Sequence, residues 1–238
     1  ISASSRVVLW LGGGVVSADA EEQVRRLAHR LGSPVVTTYA GRGLLAGDPL
    51  LVNAPVHEPE VAQVVADADL LLVIGSSFDG MNTKNWRLPL PPRRAAITLG
   101  TLIQQTVDFD CLISADVRTA LIALEEQLDE SAVAPRTPWV DVSGIRPAIV
   151  RRLLDDPRTE QAMTWVQQVE SGWSSDGAVV CDMSVGAYWV GGYSEQPRPQ
   201  RLARASPFEQ PVDPHRRQHQ RADVVELAQA QQRGHRQV

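Results

Sequence analysis

The residues that could do chemistry begin with a run of three glycines, Gly12 to Gly14, directly after the apolar run Val7 to Leu11. A glycine turn between a buried strand and a helix can present backbone amides to a diphosphate.

The spacing of the glycines resembles a dinucleotide fingerprint, but Ser17 stands where the third glycine of that fingerprint belongs. Thr37 and Thr38 stand where a ribose-binding acid belongs. A nicotinamide cofactor is therefore disfavoured. A purely structural tight turn and a nucleotide held in another way both stay open.

The histidines offer no stronger site. His29 is predicted to pack on a helix, and His57 lies between two prolines in a predicted surface loop. His215 and His219 have the i, i+4 spacing of a helical metal pair, yet the sequence gives them no third ligand. No Ser-His-Asp order, P-loop or carboxylate pair stands out either. The residues alone indicate an α/β protein with a nucleotide-like first domain, and they identify no catalytic or metal-binding residue.

The glycine turn must be positioned by a strand–helix–strand unit that runs from Arg6 to Thr38. Its short apolar first strand is typical of a strand buried on both faces of a parallel sheet. The helix is predicted from Asp19 to Leu31, with Ser17 as the N-cap and acids in the first turn. Gly32 stands where a left-handed C-terminal cap is needed. A second, β-branched strand then follows.

The same alternation of strands and helices continues along the chain. A third buried strand, Asp69 to Gly75, leads into the loop Ser76 to Gly80, and ligands of open α/β sheets bind at such carboxyl ends. Two more strands are predicted at Arg94–Leu99 and Cys111–Ala115, and Asp116 is expected to cap a helix. The other predicted elements of this part are the strand Val35–Thr38 and the helix Pro59–Ala66. The predicted fold is α/β, an open parallel sheet with helices on both faces.

Composition excludes several classes of protein. With 238 residues, 43% of them hydrophobic, the chain can bury a core, but no apolar run approaches the roughly 20 residues of a membrane helix. Cys111 and Cys181 lack metal or disulfide spacing, which fits a reducing cytoplasm. The segment from Gln196 onward carries eight arginines against four acids but no interleaved aromatics, so neither a nucleic acid nor a membrane is an expected partner. The start at Ile1, without an initiator Met, suggests a piece of something longer.

Four segments are expected along the chain. The first domain is predicted over residues 1–130, and a linker with Pro135 and Pro138 over 131–143. Helices and the strand Ala178–Asp182 in residues 144–195 indicate the incomplete start of a second α/β domain. Residues 196–238 are predicted to be a disordered basic tail, because no period there can bury an apolar face.

Four motifs occur in an order that points to a known family: VVLWLGGG, PVVTTYAGRG, DPLLVN and ADADLLLVIGSSFD. Together they resemble the central domain of thiamine-diphosphate-dependent enzymes related to the acetolactate synthase large subunit. The later stretch DGAVVCDMSVGAYW resembles the opening of that family's C-terminal, diphosphate-binding domain. The resemblance implies an enzyme that joins or cleaves 2-oxo acids, with thiamine diphosphate and Mg2+ as cofactors, and a homo-oligomer. The family's activating glutamate and metal motif have no counterpart here, so the chain alone is expected to be inactive.

The same resemblance implies which residues would bind cofactors. Ser184, Val185 and Gly186 would face the thiamine diphosphate. Family members that bind FAD centrally would use the positions of Gly12, Gly13, Thr38, Gly75 and Ser76. The family's Arg-Phe-Asp-Asp-Arg loop appears here as Ser77 to Met81, and its next two acids as Thr98 and Gly100. Because two guanidiniums that could pair with a diphosphate are lost, tight binding of FAD or ADP is not expected.

The sequence is also compatible with other functions. The chain could be a self-standing module that binds FAD, ADP or NAD, or a structural assembly module without a ligand. The segment after about Leu202 departs from the family, where a glycine-rich turn and a buried helix would follow. A shifted reading frame and a genuine basic arm both explain it, and both predict disorder beyond about residue 205.

Overall fold

The computed structural model describes residues 1–99, 107–173, 179–181, 184–199 and 202–204. It confirms the predicted α/β fold, with five parallel strands in one sheet. The strands are β1 (Val7–Leu11), β2 (Val35–Thr37), β3 (Leu70–Ile74), β4 (Arg93–Thr98), β5 (Cys111–Ser114), β6 (Val179–Cys181) and β7 (Leu202–Arg204). The α-helices are α1 (Gly13–Ser17), α2 (Glu21–Leu31), α3 (Pro59–Ala66), α4 (Val117–Glu130), α5 (Ile145–Asp155), α6 (Glu160–Ser171) and α7 (Val185–Tyr193). A 3-10 helix spans Tyr39–Gly41.

The strand order in the sheet is β2-β1-β3-β4-β5. The chain leaves β1 toward β2 on one side and later returns to β3 on the other side. A crevice opens at the carboxyl ends of the strands where the order reverses, which here is between β1 and β3. The glycine turn after β1 and the loop after β3 therefore flank the same point of the sheet.

The central strands of the sheet are buried on both faces, because every residue of β1 and β3 is buried. Side chains alternate along each strand, so Leu9 and Leu11 point to the first face and Val8 and Trp10 to the second. The first face is covered by α1, α2 and α4. The second face is covered by α3, the segment 139–142, α5, α6 and the end of α7.

The first helical unit differs from the prediction in one respect. Ser17 does not cap the long helix: it ends the short helix α1, and α2 begins at Glu21 after Ala20. Asp19, between the two helices, has a left-handed backbone with a φ of 50°. The predicted C-cap is confirmed, since Gly32 has a φ of 57°. The N-cap of α4 is also confirmed, because the Asp116 carboxylate accepts from Thr119 N at 3.0 Å.

The predicted linker contacts the first domain directly. Arg136 N donates to Arg30 O at 2.9 Å, and Trp139 Nε1 donates to Val7 O at 3.0 Å. Ile149 and Leu153 of α5 are buried in the cluster on the second face. The chain after residue 130 thus completes the layer that packs on the second face of the sheet. The division into domains stays a prediction.

The later α/β unit consists of β6, α7 and β7. Strands β6 and β7 are parallel and form a separate two-stranded sheet, with Val179 opposite Leu202. Part of the predicted tail belongs to the fold, since Gln196 is buried. The disorder predicted beyond residue 205, and the pair His215 and His219, lie outside the described residues.

Two further observations concern only the described residues. None of their helices combines the length and apolar character that crossing a bilayer requires. Their His, Cys, Asp and Glu side chains form no group of three or more that could hold a metal ion.

Candidate functional site

The glycine turn after β1 lies directly against the loop after β3. A Cβ on Gly12 would lie 2.3 Å from Gly75 O and 2.6 Å from Ser76 Cα. A Cβ on Gly14 would lie 2.7 Å from Gly75 Cα. Side chains cannot be accommodated at such distances, so both glycines are needed for the backbones to approach. Gly75 has a φ of 61°, a left-handed backbone conformation that also favours glycine.

The structure brings together the five site residues predicted on this edge. Gly12 and Gly13 begin the turn, and Gly75 and Ser76 face it from β3. Thr38 is buried at the start of the 3-10 helix, and its amide donates to Leu11 O at 2.9 Å. A cofactor-binding role for these residues stays a prediction. Their shared location follows from the parallel sheet, whose carboxyl ends meet at one edge.

A cleft of about 260 Å³ opens beside this contact. Residues from the ends of four strands line it, as expected at the point where the strand order reverses. Its lining residues are Gly14, Ser17, Ala18, Gly75, Ser76, Ser77, Thr98, Leu99, Asp116 and Val117. Ser76 Oγ accepts from Phe78 N at 3.1 Å, which fixes the loop that forms one wall. The lining side chains are thus small, apolar or hydroxylic, with one carboxylate.

That carboxylate is Asp116. Hydrogen bonds from the backbone amide and then the hydroxyl of Thr119 hold the pKa of Asp116 below its ordinary value, so it is charged at neutral pH. Arg118, two residues further along the chain, also lowers this pKa through its backbone amide and its charge, and its guanidinium donates to Ala18 O at 3.1 Å and pairs with Asp19. Among the described residues that line the cleft there is no Lys, Arg or His. The cleft therefore presents negative charge.

The second predicted group, Ser184, Val185 and Gly186, lies apart from the cleft, at the N-terminus of α7. Ser184 precedes the helix with extended backbone, and Val185 is 73% exposed. A Cβ on Gly186 would lie 3.1 Å from the indole of Trp165. An exposed helix N-terminus can bind phosphate through its free amides, so these residues fit a diphosphate. Their role stays a prediction.

Buried polar contacts join α7 to the first domain. Arg42 is 3% exposed and donates to Asn53 Oδ1 at 3.0 Å and to Gly192 O. Burial lowers the pKa of Arg42 to about 10, with Arg146 nearby acting in the same direction. Tyr193 donates to the buried carboxylate of Glu58, and burial, followed by this carboxylate, raises the pKa of the phenol. These contacts hold α7 in one position on the second face.

Sequence reasoning missed part of the cleft. Asp116 was predicted only as a helix cap, and Thr98 only as a substitute for a family acid, whereas both line the cleft. The signal was present, because each residue directly follows or ends a parallel strand, and such ends converge. Arg42 carried no comparable signal. Its burial depends on α7, which lies about 150 residues later, as the separation from Gly192 shows.

Comparisons with known proteins agree with this geometry. Residues 1–124 match the family model described as thiamine pyrophosphate enzyme, central domain. A probable 2-ketoarginine decarboxylase from Pseudomonas aeruginosa is 28% identical over 198 residues, which are 82% of this chain and 34% of that protein. An acetolactate synthase from Mycobacterium avium is 40% identical over 82 residues, 33% of this chain and 13% of the synthase.

A third relative, the acetolactate synthase large subunit of Buchnera aphidicola, is 29% identical over 133 residues, 52% of this chain and 23% of that subunit. The chain thus spans about a third of the length of the decarboxylase and less of the synthases. The family match covers more than half of the 238 residues and includes the whole five-stranded sheet and nearly all of the helices on its first face. The chain belongs to the thiamine pyrophosphate enzyme family, whose central domain it contains.

Proposed function

We propose that the protein is a thiamine-diphosphate-dependent enzyme that acts on a 2-oxo acid by carboligation or decarboxylation. The observation that carries this proposal is the match of residues 1–124 to the family's central domain. The relatives' names supply the reaction class, since one is a probable decarboxylase and others are acetolactate synthases. The decarboxylase similarity extends over 82% of the chain, which favours decarboxylation of the two.

The central domain would act as a scaffold in this reaction. Thiamine diphosphate supplies the carbanion that adds to the substrate carbonyl and accepts electrons as CO2 leaves. On this chain Ser184, Val185 and Gly186 would hold the diphosphate at the N-terminus of α7. Arg42 and Glu58 would hold α7 against the central domain through Gly192 and Tyr193. Mg2+ as the companion metal, a homo-oligomeric assembly and a cytoplasmic location are parts of the same proposal.

The product of the complete open reading frame that encodes this chain provides the test. With thiamine diphosphate and Mg2+, we expect it to consume at least one of pyruvate, 2-oxobutyrate and 2-oxoarginine. Released CO2 and the condensation product acetolactate distinguish the two reaction types. Absence of turnover with all three acids, in a folded preparation that binds thiamine diphosphate, would contradict the proposal.

The 238-residue polypeptide alone gives a second test. We expect no turnover of pyruvate, because the cofactor-activating glutamate and the metal motif have no counterpart in it. A thermal-shift panel of thiamine diphosphate, FAD, ADP and NAD addresses the main alternative, a self-standing nucleotide-binding module. Stabilisation by NAD alone would favour that alternative over a thiamine-diphosphate enzyme.

A further inference from the structure

The cleft between β1 and β3 lies where family members that carry FAD would bind a nucleotide, and its chemistry differs from that expectation. We propose that this cleft accepts an uncharged ligand of nucleoside size and rejects nucleotides that carry a diphosphate. Binding at the central domain is separate from the reaction proposed above. The amides of the glycine turn, the charge of the lining and the volume of the cleft together limit what the cleft can hold.

The glycine turn has few amides left for an anion. Gly12 N donates to Ile74 O at 2.9 Å, and Gly14 N donates to Gly75 O at 2.8 Å. Val15 N donates to Gly12 O at 3.2 Å. A diphosphate cradle requires such amides to point at the ligand. Here Gly12 and Gly14 serve a backbone-to-backbone contact with the residues after β3, and Gly13 packs against Ala40. This is the structural alternative that the sequence had left open.

The charge of the cleft acts against phosphate. Diphosphate sites supply Arg, Lys, a metal or free amides to balance the ligand's charge. The described lining contains none of those cations, and it contains Asp116. The adjacent Arg118 is held by Ala18 O and Asp19. A diphosphate placed here would meet the exposed carboxylate of Asp116 with no cation on the described lining to offset its own charge, and like charges repel.

The same features suit a nucleoside. Pockets for drug-sized ligands hold about 300–1,000 Å³, so a cleft of about 260 Å³ is small for a dinucleotide. Ala18, Leu99 and Val117 offer apolar contact for a base. An acid at the end of a parallel strand can accept hydrogen bonds from ribose hydroxyls, as in dinucleotide-binding folds. Asp116 directly follows such a strand and is positioned for that role.

Isothermal titration calorimetry of the 238-residue chain with adenosine, ADP and FAD tests the proposal. We expect adenosine to bind at least about tenfold more tightly than either diphosphate, a difference of about 1.4 kcal/mol. Equal or tighter binding of ADP or FAD would overturn it. A lack of measurable adenosine binding would overturn it as well.

Two variants assign the effect to the cleft. Asp116→Asn removes the charge and keeps a good helix cap, so the fold is retained. We expect it to weaken the binding of adenosine and strengthen the binding of ADP. Asp141→Asn, at an aspartate that accepts from Ser143 N and does not line the cleft, should change neither. Leu99→Arg adds a guanidinium at a lining position that is 72% exposed and should increase ADP affinity about tenfold or more. Unchanged ADP affinity in both cleft variants would overturn the proposal.

Discussion

The two faces of the five-stranded sheet are both covered, but by different means. On the first face the covering helices α2 and α4 each directly follow or precede a strand, so short connections place them. On the second face only α3 is local, and α5, α6 and α7 come from beyond residue 140. The chain must therefore close a much longer loop to cover the second face. Specific contacts have to offset the entropy cost of that closure.

The contacts that fix the two layers also differ. On the first face α2 and α4 are joined at the surface, where Arg26 and Glu125 pair at 2.8 Å with Arg26 about half exposed. On the second face the Glu58 side chain is only 7% exposed and accepts from Tyr193 and Arg152. Exposed pairs contribute little, whereas a buried acceptor that loses its donors is costly. We therefore expect the loss of a polar contact to reduce stability little on the first face and more on the second face.

The largest effect is expected at the point that both faces share. Gly75→Ala would force a side chain onto a φ of 61° and place its Cβ 2.7 Å from Val15 N. We expect a loss of more than about 4 kcal/mol in the free energy of unfolding, or failure to fold, because backbone atoms have to move.

Gly47→Ala is the matched control for that change. Gly47 has a φ of 79°, but no atom lies within 4 Å of its virtual Cβ. Only backbone strain should remain, about 1 kcal/mol. Urea denaturation followed by circular dichroism measures both variants, and similar losses would refute the importance of the glycine contact.

The next largest effect is expected from truncating an apolar side chain on either face of the sheet. Leu27 on α2 is fully buried and Ile149 on α5 is 1% exposed. Truncation of either side chain to alanine should cost about 3 kcal/mol if both layers belong to one cooperative unit. Ile122→Ala, at a position on α4 that is 42% exposed, should cost less than about 0.5 kcal/mol.

The shape of the unfolding curve distinguishes the alternatives. A single transition that shifts in both core variants supports a second face integral to the domain. Two transitions, with Ile149→Ala lowering only one, would instead support the predicted division that begins a new domain at residue 144.

The difference between the faces also explains what the sequence could predict. Strands β1 to β5 and helices α2, α3 and α4 were predictable, because each has its own apolar period and its caps, such as Gly32 and Asp116, are local. The short helix α1 was missed, since in GGVVS only Val15 is buried and the signal is weaker than a cap at Ser17. The predicted linker carries two prolines and no period, yet Trp139 packs on the sheet.

The candidate site divides in the same way. Convergence of Gly12, Gly75 and Ser76 follows from parallel strands alone, so it was predictable. Whether the glycine amides donate to a ligand or to the neighbouring backbone depends on how closely the turn approaches the loop after β3, which no sequence pattern encodes. The orientation of Arg42 and Glu58 toward α7 depends on a contact between distant segments and was equally hidden.

The smallest effect concerns the buried carboxylate of the second face. Glu58→Gln keeps the volume of the side chain but removes the charge that accepts from Tyr193 and Arg152. We expect a loss of about 2 kcal/mol in the free energy of unfolding, because hydrogen bonds to a buried charged group are weakened together. Glu60→Gln is matched, since Glu60 accepts from the same Arg152 at 3.0 Å but is 30% exposed. It should cost less than about 1 kcal/mol.

A double-mutant cycle decides whether Glu58 acts through α7. If the phenol is its partner, Tyr193→Phe and Glu58→Gln should be non-additive, because the second change removes an interaction that the first has already lost. Combining Tyr193→Phe with Glu60→Gln should give additive losses, since Tyr193 donates to Glu58 and not to Glu60. Additivity in both cycles would mean that α7 is not held through Glu58. The polar attachment of α7 would then depend on other contacts, such as that of Arg42 with Gly192 O.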